Sequence, residues 1–180
     1  KRALVDAGRH VLRKQDRSAG LPERELVRIA IESMGLSNLK EFKPEEKVVE
    51  YILEAEEQKG KKRLVDMTCT GFAEETASES PAPGGGSISA YMGALAAALG
   101  TMVANLSSHK AGWDDRWEFF SNWADNGMGV MNELLYLVDE DTEAFNKIMA
   151  VFGMPKSTDE EKAARAEAME AATLYATQVP

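Results

Sequence analysis

The chain has 180 residues, 44% of them hydrophobic, enough to bury a real core. Lys and Arg number 21 against 30 Asp and Glu, a net charge of −9. That balance argues against non-specific binding to nucleic acid or to anionic membranes, while a local basic pocket could still take an anionic small substrate. One cysteine, Cys69, excludes an internal disulfide and fits a reducing, cytoplasmic setting. The chain opens at Lys1 without a methionine and stops at Val179-Pro180 in mid-pattern, so a fragment is expected; no signal peptide is evident at its start.

Taken in order, Arg2–Gln15 carries Leu4, Val5, Gly8, Val11 and Leu12 at helical spacing. Leu21-Pro22-Glu23 predicts a second helix, with Leu26, Ile29, Ala30 and Ser33 on its inner face and Gly35 as its stop. Pro44-Glu45-Glu46 predicts a third, with Val48, Val49, Ile52 and Leu53 facing inward. Glu54–Arg63 is charged throughout, which places a domain boundary there, with 57–63 as linker between 1–56 and 64–180. Leu64–Ser78 follows as a short amphipathic helix.

The stretch Ser80-Pro81-Ala82-Pro83-Gly84-Gly85-Gly86-Ser87 cannot continue a helix, so the chain turns there, and Ser87 is placed as the N-cap of the next helix. A glycine turn feeding a helix N-terminus presents backbone N–H groups beside the positive end of a dipole, a ready anion site. The alternative is a tight turn that merely lets two helices approach. Neither a P-loop nor a GxGxxG turn after a strand is present.

The uncharged segment Ile88–Leu106 approaches the length of a membrane span. It is built from Ala and Gly, however, and no basic cluster abuts either end. Large residues (Ile88, Met92, Leu95, Leu99, Met102, Val103, Leu106) recur at helical spacing and small ones fill the other faces. The expectation is the most buried helix of a soluble bundle, with Ala90, Gly93, Ala97 and Gly100 against another helix, plausibly of a second subunit, and no membrane span. A polar loop with His109 and Lys110 comes next, Lys110 being either a cationic cap or a contact for an anionic ligand. From Trp113 a helical pattern resumes. Gly127 and Gly129 mark a break or a close crossing, and Met131, Leu135, Val138, Thr142, Phe145, Met149 and Phe152 form the next stripe. Ser157–Glu161 offers a capping box to a last helix over 159–177. No run alternates with period two, so the fold class is all-α, a helical bundle preceded by a short helical tail.

Asp139, Glu140, Asp141 and Glu143 crowd the long helix. Around the Met131–Val138–Phe145 stripe, Glu140 points directly away and is expected on a solvated face. Asp139 and Asp141 flank the stripe, each about 80° from its centre. Asp139 shares its side with Asn132, Glu143 and Asn146, whereas Asp141 shares its side with Val130, Leu134, Leu137 and Ile148. A carboxylate among apolar neighbours loses solvation, which suits a general acid or base, so Asp141 is the better catalytic candidate, beside the alternative of a structural acid. No metal is expected, because His10 and His109 pair with no ligand at suitable spacing. Cys69 has no basic neighbour to activate it.

The stretch SESPAPGGGSISAYMGALAAALGTMVANLSSHK, followed by LVDEDTEAFNKIMAVFGMPKSTDEEKAAR, resembles the formimidoyltetrahydrofolate cyclodeaminase/cyclohydrolase family from about Leu64 onward. Residues Arg2–Tyr51 resemble the tail of the glutamate formiminotransferase domain that precedes it in a fused bifunctional enzyme. The resemblance implies an all-helical domain, continuing past Pro180, that assembles through dimers into homo-oligomers. It implies conversion of 5-formimino-tetrahydrofolate to 5,10-methenyl-tetrahydrofolate with release of ammonia, in histidine degradation and one-carbon metabolism. Tetrahydrofolate, polyglutamylated forms included, is the implied substrate carrier, with no nucleic-acid partner. The implied catalytic carboxylate is Asp141, with Asp139 as rival; Gly84, Gly85, Gly86, Ser87 and Lys110 would hold the pterin or the glutamate tail. The family commonly has glycine where this chain has His109. Alternatives are a methenyltetrahydrofolate cyclohydrolase of the same fold and a non-catalytic helical oligomerisation module.

Overall fold

The structure, a computed structural model, describes residues 1–179. Eight α-helices and two short 3-10 turns form its regular structure, and no strand occurs among the described residues. The helices are α1 (Arg2–Lys14), α2 (Glu23–Ser33), α3 (Pro44–Lys47), α4 (Val49–Gln58), α5 (Cys69–Thr76), α6 (Gly85–Ser108), α7 (Trp117–Phe152) and α8 (Asp159–Gln178). The chain divides into two compact units, one of Lys1–Lys61 with Ala96–Met131, the other of Lys62–Leu95 with the residues from Asn132 on.

In the first unit α1 and α2 meet backbone to backbone at Gly8, where an added Cβ would overlap the Leu26 carbonyl oxygen. Leu12, Leu26, Val27, Ala30 and Ile31 form the core beside that contact. Val27 and Ile31 are buried in place of the expected Ile29 and Ser33. Val48 is extended (φ −98°, ψ 115°) and breaks the expected third helix into α3 and α4. The break resets the helical phase, so Val48 is buried while Val49, Ile52 and Leu53 stay exposed. The charged stretch after Glu54 also remains helical as far as Gln58.

Between α1 and α2 the segment Ser18-Ala19-Gly20 is buried, so its backbone polar groups must find protein partners. The C-terminal part of α6 and the N-terminal part of α7 supply them. Ser18 Oγ donates to Asn105 Oδ1 (2.6 Å), Asn105 Nδ2 donates to the Gly20 carbonyl (2.8 Å), and the Ala19 amide donates to Ser121 Oγ (3.0 Å). Arg9 Nη2 adds a bond to Asp125 Oδ1 (2.9 Å).

In the second unit the expected helix over Leu64–Ser78 is two elements, a 3-10 turn at Leu64–Asp66 and then α5. Thr68 caps α5, its Oγ1 accepting from the Gly71 amide at 3.0 Å. Helix α8 starts with the expected capping box, in which Thr158 Oγ1 and the Glu161 carboxylate each accept from the other residue's amide.

α6 is less buried than expected: its small residues turn inward, but its large ones are not covered. Ser87, Ala94, Thr101 and Ser108, seven apart, are its buried residues along with Ala104, whereas Met92, Leu95, Leu99, Met102, Val103 and Leu106 are half to two-thirds exposed. α6 is therefore not the most buried helix of this chain. Small residues turn inward because they let helix backbones approach. In the second unit Gly93 lies against Leu134 of the same chain, and in the first a Cβ on Gly127 would overlap Thr101 Oγ1. Gly100 meets nothing within 4 Å. Gly127 thus marks a close crossing, and α7 runs through Gly127 and Gly129 without a break. Near its end, Ala144 and Val151 take the buried positions and leave Phe145, Met149 and Phe152 outside.

A Cβ on Gly20 would overlap that of Ala124 and lie 2.8 Å from the Ala124 Cα. Since Ala124 is fully buried, neither side can yield cheaply. Gly20→Ala is expected to cost about 1–3 kcal/mol by overpacking. A thermal or denaturant melt tests this, and an unchanged midpoint would show that the segment is not clamped.

Candidate active site

The residues Ser80–Gly86 form the turn into α6, with a cis peptide at Ala82–Pro83. Helix α6 begins at Gly85, three residues earlier than a Ser87 N-cap would require, and the Ile88 amide already bonds the Gly84 carbonyl (3.1 Å). Ser87 is therefore inside the first turn. Its amide remains one of the donors that a helix start leaves without an intrahelical partner.

That donor is met by Asp141. The Ser87 amide donates to Asp141 Oδ2 at 2.8 Å, and Ser87 Oγ donates to the same oxygen at 2.9 Å. Thr142 Oγ1 lies 3.4 Å from Ser87 Oγ. An added Cβ on Gly86 would overlap Asp141 Oδ1 and stand 2.6 Å from the carboxyl carbon, and one on Gly84 would be 3.7 Å from Oδ2. The carboxylate occupies the space that a side chain at position 86 would fill. The anion that the turn holds is thus the protein's own.

A cleft of about 330 Å³ opens at this contact, lined by Pro81, Ala82, Gly84–Gly86, Asp141, Thr142, Phe145, Ile148 and Ala176. Its walls are mostly apolar, and Asp141 is its ionisable group. The sequence pattern assigned Thr142 and Phe145 to a core stripe and gave Ala176 no role. A hydroxyl inside an otherwise apolar stripe was the available signal for Thr142, whereas nothing in the sequence marks Ala176.

Asp139 does different work. Its Oδ1 accepts from the Leu64 amide at 2.6 Å, holding the 3-10 turn at the start of the second unit. Burial raises its pKa above the ordinary 3.8, opposed in part by that amide bond and by the Arg63 charge. It is therefore not the solvated acid that its polar neighbours on the helix suggested. Glu140 is not solvated either. Tyr136 donates to it at 2.7 Å, Tyr175 of α8 donates to its other oxygen, and Lys147 lies 3.9 Å away. The two tyrosine hydroxyls, Tyr175 first, hold its pKa below the ordinary 4.5.

Lys110 belongs to the first unit, where its Nζ lies 4.1 Å from the centre of the Trp113 ring. Cys69 is exposed, its Sγ 3.9 Å from the Tyr91 hydroxyl. Among the described residues no group of three His, Cys, Asp or Glu is placed to hold a metal ion.

The contact at Gly86 separates two adjacent glycines of the same helical turn. A Cβ on Gly85 meets nothing within 4 Å. Gly85→Ala should be neutral or stabilising by up to about 1 kcal/mol. Gly86→Ala should instead destabilise by about 1–3 kcal/mol, because it displaces the carboxylate from both Ser87 donors. Paired melting curves check this, and equal midpoints would remove Asp141 from the helix start.

Comparison with known proteins gives this geometry a context. The family model described as formiminotransferase-cyclodeaminase matches residues 68–180, and that of the formiminotransferase domain matches residues 1–54. A formimidoyltransferase-cyclodeaminase of Gallus gallus is 34% identical over 100% of this chain and 33% of its own length. That of Mus musculus is 31% identical over 99% of this chain and 32% of its own length. A methenyltetrahydrofolate cyclohydrolase of Methylorubrum extorquens is 39% identical over 63% of this chain and 54% of its own length. The chain spans about a third of the length of the two vertebrate relatives. With its glycine turn, its acidic helix and more than half its residues inside one family match, the chain belongs to the formiminotransferase-cyclodeaminase family.

Proposed function

We propose that this chain is part of a folate-dependent cyclodeaminase that converts 5-formimino-tetrahydrofolate to 5,10-methenyl-tetrahydrofolate and releases ammonia. In this reading residues 1–56 are the tail of a formiminotransferase domain, 57–63 the linker, and 64–180 part of the cyclodeaminase domain. The whole enzyme also transfers the formimino group, acts in histidine degradation and is cytoplasmic. The observation that carries the proposal is the Asp141 carboxylate at the glycine turn of a largely apolar cleft.

The chemistry asks for one proton carrier. N10 of the folate bonds to the formimino carbon, and its proton passes to Asp141. The formimino nitrogen takes that proton and a second from solvent, its bond to carbon breaks, and it leaves as ammonia. The cationic methenyl bridge between N5 and N10 remains. One carboxylate serves as base and then as acid. Gly84–Gly86 offer a wall without side chains to the flat substrate ring, and Lys110 has no role in this proposal. A cyclohydrolase would add water to the methenyl carbon on the same scaffold, as the name of the Methylorubrum relative suggests for that protein. The formiminotransferase match over residues 1–54 favours the cyclodeaminase.

Asp141→Asn keeps the shape and removes proton transfer, so turnover in the full-length protein should fall roughly 10²–10⁴-fold. Asp139→Asn keeps an acceptor for the Leu64 amide and should leave turnover within a few fold. Because the Asp139 pKa is raised in the folded protein, its contribution to stability is present below pH 3.8 and is lost as pH rises through the folded value. Asp139→Asn should accordingly be no less stable than the parent at neutral pH, and the difference should shrink in acid. Ammonia release and melts at two pH values decide the matter. An active Asp141→Asn enzyme would place the proton carrier elsewhere, whereas a parent protein that releases no ammonia would favour a non-catalytic helical module.

The exposed apolar row of α6 supports assembly into a homo-oligomer, the row being covered by a second copy. α6 is also long and apolar enough to cross a membrane by length and composition, but its inward row of small residues packs on this chain's own helices, as in a bundle. Leu99→Glu should then lower the mass in solution, whereas an unchanged mass would place the interface elsewhere.

A further inference from the structure

We propose that Ser87 is a positioning residue for Asp141, fixing the carboxylate so that Oδ2 is held by the protein and Oδ1 exchanges the proton. The inference rests on the cyclodeaminase reading of Asp141. Ser87 is fully buried, and both of its donors, amide and hydroxyl, converge on Oδ2 at 2.8 and 2.9 Å. Among the described residues no donor reaches Oδ1, which lies over the bare Cα of Gly86 in the glycine lining of the cleft. The two oxygens of one carboxylate are thereby made unequal.

This arrangement has a chemical purpose. A carboxylate free to rotate would present either oxygen to the substrate, and a proton-transfer catalyst gains from holding one geometry. The Ser87 amide fixes the position of Oδ2, and the hydroxyl, from a second direction, fixes the plane of the group. The hydroxyl hydrogen is committed to Oδ2, so Ser87 is not expected to donate to the folate. The helix start likewise spends the Ser87 amide on Asp141 instead of on an anionic part of the substrate.

Turnover of 5-formimino-tetrahydrofolate by the full-length protein tests this, with Ser87→Ala, Asp141→Asn and the double variant. Loss of a hydrogen bond to a charged group predicts a fall of roughly 10- to 100-fold in kcat for Ser87→Ala. KM should stay within about twofold, since nothing that touches substrate has been removed. The double variant should match Asp141→Asn alone, because a residue acting only through Asp141 has nothing left to position. Ser87→Thr and Ser87→Val, of matched volume, repeat the comparison where the smaller residue perturbs folding. The Thr enzyme should be the faster of the two by a similar factor. Raised KM at unchanged kcat, a double variant well below Asp141→Asn, or equal rates for Thr and Val would each overturn the positioning role. Full activity in Asp141→Asn would instead overturn the cyclodeaminase assignment of Asp141, a distinguishable failure.

Discussion

The hydrogen-bonded contact between Asp141 and the first turn of α6 is the constraint on which the second unit depends. A helix start leaves amides without intrahelical partners, and a buried start must find acceptors for them. Here the acceptor comes from a helix 54 positions further along the chain. The contact fixes the register of α7 against α6, since a shift of one residue would bring Glu140 or Thr142 to Ser87. It also dictates a glycine at position 86, where a carboxylate oxygen stands in the place of a Cβ. The Pro- and Gly-rich stretch before it follows from the same need, because the chain must turn sharply to aim its amide at that oxygen.

Much of this was legible because it is local. Helical spacing gave the all-α class, and the Thr158–Glu161 pair gave the start of α8. The choice between Asp139 and Asp141 came from which neighbours each shares on α7, and the structure does seat Asp141 at the glycine turn. Asp139 is also desolvated, because Leu64 brings backbone onto the side of α7 that looked polar. A helical wheel records the neighbours of a residue on its own helix and nothing of what packs there from elsewhere. Glu140 makes the same point, since Tyr175 of α8 reaches it from 35 positions away.

The exposure of the large residues of α6 has a different cause. A helix that is apolar all round is expected to be buried all round, but close approach of two helices selects only the thin face. In α6 the inward row is Ser87, Ala94, Thr101 and Ser108, chosen for thinness and for hydroxyls that satisfy local partners. Thr101 Oγ1 bonds the Ala97 carbonyl at 2.8 Å, and Ser108 Oγ bonds the Trp117 carbonyl at 3.2 Å. Small residues at seven-residue spacing were visible in the sequence, but the larger residues beside them offered the stronger hydrophobic signal. Signal strength and direction of packing are separate quantities.

Two carboxylates two residues apart on α7 therefore serve as acceptors for two separate segment starts, Asp139 for the 3-10 turn at Leu64 and Asp141 for α6 at Ser87. Successive residues of a helix advance by about 100°, so positions 139 and 141 diverge by about 200° and cannot share a neighbour. What separates their duties is what else borders each one. Asp139 lies under backbone, beside Arg63, at a place where the chain enters the second unit, so its bond fixes that entry. Asp141 borders a cleft whose floor is glycine and whose walls are aliphatic and aromatic side chains, with one of its oxygens anchored by Ser87 and the other set against Gly86. The same bond to a backbone amide closes a turn in one place and borders a cleft in the other, and the difference lies in the glycines opposite Asp141.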